Sequence, residues 1–362
     1  MSLAPNSNRV AVIDPGMVGA ACVAGLRGMN AAVNLLEKPR NVGGRAATRH
    51  AGWLDASGAE QAVTFDHDSQ CFAPDRPRFK AAMARATAAN CLSEWPSRMY
   101  AALLAEHGQC LAVSPTMSAL RSPLLAGETV RLNCTVRRLQ RAADGGWYVA
   151  ADGAPVAGPF RHAALATPPA QAVVPLAGHQ GNWAEPLMAK HMQPCRSLLA
   201  VTDDVDWPWD AAEPERGPLG WVLRNDLVPG RTRPLRPAAW TAHLTAEWSA
   251  AHLEDESESV NGKLQLAPMA QLPATSGGRQ PARWHHAAVH RWRYTEPAFG
   301  CDDSFDSDEA WWNDPLGLGV RSDSLAGGGV EAAWHSGGEL VDLTAASIER
   351  REAEPRMAAV TR

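Results

Sequence analysis

The sequence predicts an α/β fold of two domains, one of them discontinuous, and three observations carry that expectation. Residues 9–37 run as a short buried strand, a tight turn, an Ala-rich helix and a second apolar strand. Strands of similar character return at 287–292 and 316–321, far along the chain. Between about 173 and 283 the composition shifts to Trp, Pro and short alternating strands. A chain of 362 residues has room for two cores, because single cores stop growing near ~250–300 residues.

Each part of the first crossover has a physical task. Strand 9–13 leads into the turn Asp14-Pro15-Gly16-Met17-Val18-Gly19, then a helix over 20–29 and a strand over 31–36 that ends in Glu37. This is the pattern of a βαβ dinucleotide-binding unit. The turn brings backbone N–H groups against a pyrophosphate, and the helix that starts there offers unpaired donors and its positive dipole end. Gly16 leaves room for that approach, Gly19 lets helix and strand pack closely, and Glu37 is placed to accept from ribose hydroxyls. The first position of the usual glycine pattern is Asp14.

Glu37 continues into Lys38-Pro39-Arg40-Asn41-Val42-Gly43-Gly44-Arg45 and then Thr48-Arg49. An acid at a strand end followed by Gly-Gly-Arg and Thr-Arg resembles the extended signature of two-dinucleotide-binding flavoproteins. Further matches recur at 64–72, 115–118, 166–171, 290–294, 319–323 and 330–337. In order and spacing they resemble the renalase-like branch of the flavin amine oxidase superfamily, chiefly its bacterial members.

That resemblance implies a Rossmann-type FAD domain made of residues 7–75, 109–172 and 285–350, with an inserted α+β substrate domain from 76–108 and 173–284. It implies FAD held by Gly16, Gly19, Glu37, Lys38, Gly43, Gly44, Arg45, Val136, Asp323 and Val330. The Gly-Gly-Arg loop follows the pyrophosphate, Asp323 reaches the ribitol and pyrophosphate, and the helix near Val330 aims its donors at the flavin carbonyl edge. A helix cap or turn is the structural alternative for Asp323. The activity implied is hydride transfer from a dihydronicotinamide-like small molecule to flavin N5, with reoxidation by O2 to H2O2. Amine oxidation or ring desaturation by the same flavin is the alternative, since pocket shape decides the substrate.

Candidate catalytic residues are His290, Arg291 and Tyr294 in the segment His290-Arg291-Trp292-Arg293-Tyr294. That segment reads either as a half-buried strand with alternating faces or as the lining of a substrate cavity. Four positions where the resemblance calls for glycine carry Asp14, Asp68, Thr116 and Ser322, and Arg321 stands for cysteine. A carboxylate at 14 repels a nearby pyrophosphate unless Arg45 or Arg321 neutralises it. Two outcomes follow, an active enzyme with an Asp14–Arg321 pair or a fold-retaining binding protein with weakened FAD affinity.

The remaining chemistry is excluded by pattern. A net charge of −5 and a pI near 6.2 leave no electrostatic footprint for nucleic acid or anionic membrane. Seven cysteines without a C-x-x-C pair point to reduced thiols in a cytoplasm, Cys71 reads as structural, and residues 1–8 lack a signal-peptide pattern. No stretch approaches the ~20 apolar residues of a membrane span. His286 and His290 are four apart but in strand context without a third ligand, so no metal is expected. No G-x-S-x-G elbow supports a serine hydrolase. Fourteen tryptophans against three tyrosines indicate the packing value of large rings and no particular function.

In order, the other elements are a Gly/Ala/Ser loop at 51–62, a short strand at 63–65, and helical spacing over 78–104 interrupted at Pro96. Alternation gives strands over 129–141 and 147–151 around the turn Asp144-Gly145-Gly146, then a strand at 163–166. Strands at 220–224 and 239–245 precede a helix from Ala246 into the acidic residues 254–256. Residues 273–281 and 302–306 read as loops, the latter without the glycine and glutamate of a calcium loop. Gly327-Gly328-Gly329 leads into a helix near Val330.

Overall fold

The computed structural model describes residues 8–29, 31–38, 44–88, 90–95, 98–100, 110–190, 192–214, 216–231, 237–266, 281–295 and 311–360. Gly43, the loop 302–306 and nearly all of the loop 273–281 lie outside them. The chain opens with β1 (Arg9–Ile13), α1 (Met17–Gly28), β2 (Ala32–Leu36), β3 (Thr48–Leu54), β4 (Glu60–Asp66) and α2 (Pro77–Ala88). Next come β5 (Leu92–Glu94), β6 (Met99–Tyr100), β7 (Leu111–Val113), α3 (Ser122–Leu125), β8 (Val130–Arg131), β9 (Thr135–Arg141), β10 (Trp147–Asp152), β11 (Ala154–Phe160) and β12 (His162–Leu165). Then follow α4 (Pro169–Leu176), α5 (Ala184–Ala189), β13 (Cys195–Thr202), β14 (Ala211–Ala212), β15 (Leu219–Arg224), β16 (Ala238–Leu244), α6 (Ala246–Ala251) and α7 (Ser257–Leu266). The chain closes with β17 (Trp284–Trp292), β18 (Trp312–Asn313), β19 (Leu318–Val320) and the long α8 (Gly329–Val360).

By packing, the chain forms two compact units, Met1–Gly44 with Arg121–His191 and Asp302–Arg362, and Arg45–Leu120 with Met192–Cys301. The first is built on a sheet of order β18-β19-β12-β1-β2-β8, parallel except for the edge strand β18. Val10, Ala11 and Val12 have no exposed surface, as expected of a parallel strand covered on both faces. One face is covered by the antiparallel meander β9–β11 with α4 and α5, where Trp147, Phe160, Leu139, Leu176 and Leu187 meet Ala11, Leu165 and Val320. On the other face α1 packs against α8, and His162 Nε2 lies 3.2 Å from Ser347 Oγ. Helix–helix approach is close at Gly337, where a Cβ would stand 2.4 Å from the Val18 carbonyl oxygen and 2.6 Å from Ala21 Cβ.

The second unit is a mixed sheet of order β17-β13-β16-β15-β14-β6, antiparallel apart from the β14–β6 pair. Every residue of β13 is buried. Leu198, Ala200, Trp240 and Val289 pack with Trp207, Trp209 and the α7 residues Val260 and Leu264, while Leu199, Val201 and Ala239 pack on the β3–β4 hairpin through Trp53, Val63 and Phe65. The tryptophan excess is used here, with Trp207 stacked on Trp209 at 4.8 Å and tilted on Trp240 at 4.6 Å.

The α/β class and the Rossmann-type sheet agree with the sequence, and several elements differ. Helix α1 starts at Met17, three residues early, because Gly16 already serves as its cap. The expected loop 51–62 is the hairpin β3–β4, turned by Asp55, whose Oδ1 accepts from Ser57 N at 2.8 Å and Ala59 N at 3.1 Å, with Gly58 at φ 81°. The helix expected over 78–104 stops at Ala88, and after Asn90 at φ 57° the chain enters β5. The acidic residues 254–256 lie between α6 and α7, outside both. Strand β13 is absent from the sequence reading because burial on both faces erases alternation.

The division by packing also departs from the expected domains. Segments 45–75, 109–120 and 285–301 lie in the second unit, where β4 shares a core with β13 and β16 and β17 pairs with β13 along its length. Segment 173–191 lies in the first, through Leu176 and Leu187. Among the described residues no helix is long and apolar enough to cross a membrane, and the described cysteines are free thiols.

The two neighbouring glycines of α8 provide a test of the helix contact. Gly337→Ala forces α1 and α8 apart and lowers stability by roughly 1–3 kcal/mol. Gly338→Ala meets nothing within 4 Å and raises stability by up to ~1 kcal/mol through helix propensity. Urea midpoints of the two variants should move in opposite directions.

Candidate functional site

Parallel order brings the carboxyl ends of β1, β2, β12 and β19 to one edge of the first unit, the position at which open α/β sheets take ligands. At that edge β1 turns at Asp14, whose φ is 69°, with Asp14 N donating to Leu36 O at 2.9 Å. Gly16 caps α1 without any side-chain cap hydrogen bond. A Cβ on Gly19 would lie 2.3 Å from the Asp14 carbonyl oxygen, so the close approach of helix and strand requires glycine. Gly44, at φ +50°, faces Gly16: a Cβ there would be 3.9 Å from the Gly16 Cα. The first amides of α1 and its dipole lie at that edge, an arrangement that favours negative charge.

Acids lie close to this turn, and Arg121 feels their charge. Glu37 is 2% exposed and held by Glu37 N donating to Arg131 O at 2.9 Å and Cys134 N donating to Glu37 O at 2.8 Å. Asp14 Oδ1 accepts from Gly16 N at 3.1 Å. The buried guanidinium of Arg121, just ahead of α3, feels both carboxylates. Desolvation lowers its pKa, and the negative fields of Glu37 and Asp14 oppose that shift. Arg121 was not singled out by sequence, for it belongs to no motif and reaches the turn only through the fold. Arg321, the expected partner of Asp14, has its Nε 2.8 Å from Glu339.

The other predicted cofactor residues are distributed as follows. Asp323 is buried at the start of a short helical turn, accepting from Ser322 Oγ at 3.1 Å, and its carbonyl accepts from Gly328 N at 2.8 Å. Val330 is buried at the second position of α8. Lys38 is exposed beside Glu37. Val136 packs partly buried against the core under the meander. Arg45 belongs to the second unit, where its carbonyl accepts from Ser69 N at 3.3 Å.

In the second unit, β17 presents alternate residues to opposite faces. His290 and Trp292 share a face with His67: ring centroids are 4.8 Å apart for His67–His290, 4.9 Å for His67–Trp292 and 4.5 Å for His290–Trp292. Trp292 Nε1 donates to His67 O at 3.2 Å, and Arg49 Nη1 is 3.4 Å from His290 Nδ1. His243 Nε2 lies 3.1 Å from Gln70 Nε2, and Trp221 Nε1 donates to Gln70 Oε1 at 2.7 Å. Burial pulls His67, His243 and His290 each down to about 4, so the cluster is uncharged at neutral pH. Arg291 is on the other side of the strand, 3.2 Å from Glu254 and donating to Leu253 O. Tyr294 is half-buried in a bend beyond the strand end. The structure therefore does not bring Arg291 together with His290.

Beneath this cluster Asp66 and Arg231 form a fully buried pair, with Arg231 Nε donating to Asp66 Oδ2 at 2.8 Å. Asp66 Oδ1 accepts from Thr48 Oγ1 at 2.7 Å and Met117 N at 3.1 Å. Cys71 packs in the core, its thiol pushed well up by the Cys110 thiol beside it and by burial. A cleft of about 630 Å³ lies elsewhere in the unit, lined by Trp95, Arg98, Trp207 and Asp210 among others and by none of the predicted site residues. Among the described residues no group of three or more His, Cys, Asp or Glu is arranged to hold a metal ion.

Residues 15–86 match the family model of the NAD(P)-binding Rossmann-like domain. Among solved structures the chain is similar to a putative protoporphyrinogen oxidase from Exiguobacterium sp. 255-15, at TM-score 0.66 and 13% identity, covering 96% of this chain and 100% of that one. It is also similar to putrescine oxidase, as a triple mutant from a redesign of cofactor binding (TM-score 0.59, 14% identity, 92% and 98% covered). The wild type of that enzyme bound to putrescine gives TM-score 0.54 and 15% identity, with the same coverage. These likenesses are of fold.

The imidazole cluster sets a pH dependence of stability. A histidine whose folded pKa is depressed stabilises the fold fully above its unfolded value near 6.5 and loses that contribution as pH falls toward 4, because only the unfolded chain takes up the proton. Stability should fall with a slope of up to ~1.4 kcal/mol per pH unit for each such histidine. His67→Phe should flatten the slope of urea midpoints between pH 6.5 and 5.

Proposed function

We propose that the chain is an FAD-dependent oxidoreductase of renalase type, oxidising a dihydronicotinamide-like small molecule. The observation that carries this reading is the convergence of Gly16, Gly19, Gly44, Glu37 and Asp323 in a unit whose parallel sheet ends at one edge. The residues fit the adenosine and pyrophosphate half of such a cofactor. A close backbone approach is kept open by Gly19, the α1 amides face outward from the turn, and Glu37 stands where ribose hydroxyls would need an acceptor. When bound, FAD supplies hydride acceptance at flavin N5 and passes electrons to O2, giving H2O2.

The chain's own residues orient and shield. The α1 amides would hold phosphate, Glu37 would hold ribose, and Asp323 with the start of α8 at Val330 would hold the flavin end, while the resemblance adds Lys38, Gly43, Arg45 and Val136 as cofactor residues. His290, Trp292 and His67 form a desolvated, uncharged surface suited to a planar neutral ring, and His290 is the member of the catalytic set that this surface supports. A second reading, oxidation of an amine by the same cofactor, draws on the likeness to putrescine oxidase.

Purified protein should be yellow or should take up added FAD. At a hundred times its dissociation constant FAD should stabilise the fold by ~2.7 kcal/mol, read as a thermal shift. Anaerobic mixing with dihydropyridine isomers and with amines should bleach the flavin for the former. Arg45→Ala should lower FAD retention on a desalting column. Colourless protein with no thermal shift would end the proposal.

A further inference from the structure

We infer that Cys71 and Cys110 form an oxidisable dithiol in the second unit, a site where a peroxide converts two free thiols into a disulfide that fastens the segment after β4 to β7; the inference does not depend on the FAD reading above. Phe72 and Leu111 face each other across an isolated antiparallel bridge, with Phe72 N donating to Leu111 O at 3.1 Å and Leu111 N donating to Phe72 O at 2.8 Å. Carried one residue further, that register sets Cys71 opposite Ala112, with Cys110 its diagonal neighbour on the same face. The side chains meet there: Cys71 packs on the cluster that holds Cys110, Ala112, Trp95 and Trp221, and its thiol is hydrogen-bonded to that of Cys110.

Cys71 is half-buried and open to a small oxidant, and the buried Cys110 is the adjacent resolving thiol. The Cys71 thiolate attacks one oxygen of hydrogen peroxide and breaks the O–O bond, leaving a sulfenic acid and, after protonation, water. The Cys110 sulfur then attacks the sulfenic sulfur and expels a second water. Two thiols and one peroxide thus give one disulfide and two waters, with sulfur oxidised, oxygen reduced and both thiol protons carried off in water. The Cys110 thiol and burial push the Cys71 thiol well up, so little thiolate is present at neutral pH and the pair answers sustained rather than passing oxidant. Diagonal neighbours stand ~7–8 Å apart at Cα, and a disulfide needs less than ~7 Å, so closure shifts the backbone by roughly an ångström. The single bridge allows that shift, because residues 67–71 and 73–76 on either side of Phe72 belong to no strand.

The test uses the full chain, reduced, freed of reductant and exposed to hydrogen peroxide under native conditions at pH 7 and pH 8, then alkylated and digested without reductant. Trypsin separates the thiols, since cleavage after Arg49, Arg78, Arg85, Arg98 and Arg121 leaves Cys71, Cys91 and Cys110 in three peptides. The expected product is a linked peptide joining Cys71 to Cys110, reversed by dithiothreitol and formed about tenfold faster at pH 8 as the thiolate fraction rises. The link should raise the thermal midpoint by several degrees, a rise absent in Cys71→Ala and in Cys110→Ala. Peroxide treatment that leaves both thiols free, takes Cys71 only to the sulfinic acid, or links either thiol to Cys91 would overturn the inference. A Cys71–Cys110 link that forms only in urea would overturn it as well.

Discussion

The carboxyl edge of the parallel sheet depends on one backbone contact, the first turn of α1 seated against the carbonyl of Asp14. At Gly19 even a methyl group would lie 2.3 Å from that oxygen, well inside van der Waals contact. This seat fixes where α1 starts and directs its amide end to the carboxyl edge of the sheet. The same helix is gripped from behind by α8 at Gly337, so the start of α1 is held by two helices that cannot slide independently.

Charge is treated differently in the two units. In the first, the carboxylates of Glu37 and Asp14 act on the buried guanidinium of Arg121, and the buried Arg321 pairs with Glu339. In the second, Asp66 is paired with Arg231 and Asp226 with Arg224, whose guanidinium also lies 4.7 Å over Trp240, while the buried Arg196 donates to the carbonyls of His252, Leu253 and Asp255. Removing one partner of such a pair strands the other in a low-dielectric interior, which typically costs 3–5 kcal/mol. The imidazoles of His67 and His290 stay neutral by desolvation, with the Arg49 guanidinium beside them also lowering their pKa.

The two units carry different kinds of local geometry. The first turn of α1 is made by main-chain amides and by glycines that permit close approach, whereas the aromatic cluster of the second unit is made by side chains from β17 and from the segment after β4. Backbone geometry of the first kind leaves a spacing in the sequence, and side-chain convergence of the second kind leaves none.

The sequence by itself determined the βαβ crossover, the α/β class and the glycines of the first turn, because those features are local: strand, turn and helix are consecutive, and Gly16, Gly19 and Glu37 mark them at set intervals. Only tertiary structure decided that residues 51–62 pair as a hairpin, that β13 is the buried centre of the second sheet, and that Arg291 turns away from His290 toward Glu254. It also decided that Arg121, about eighty residues beyond Glu37, is the cation beside Asp14, and that His67 meets His290 across more than two hundred residues. The physical reason is the same in each case. Strand pairing, burial on two faces and charge compensation are relations between distant segments, and local spacing carries no record of which segments the core brings together.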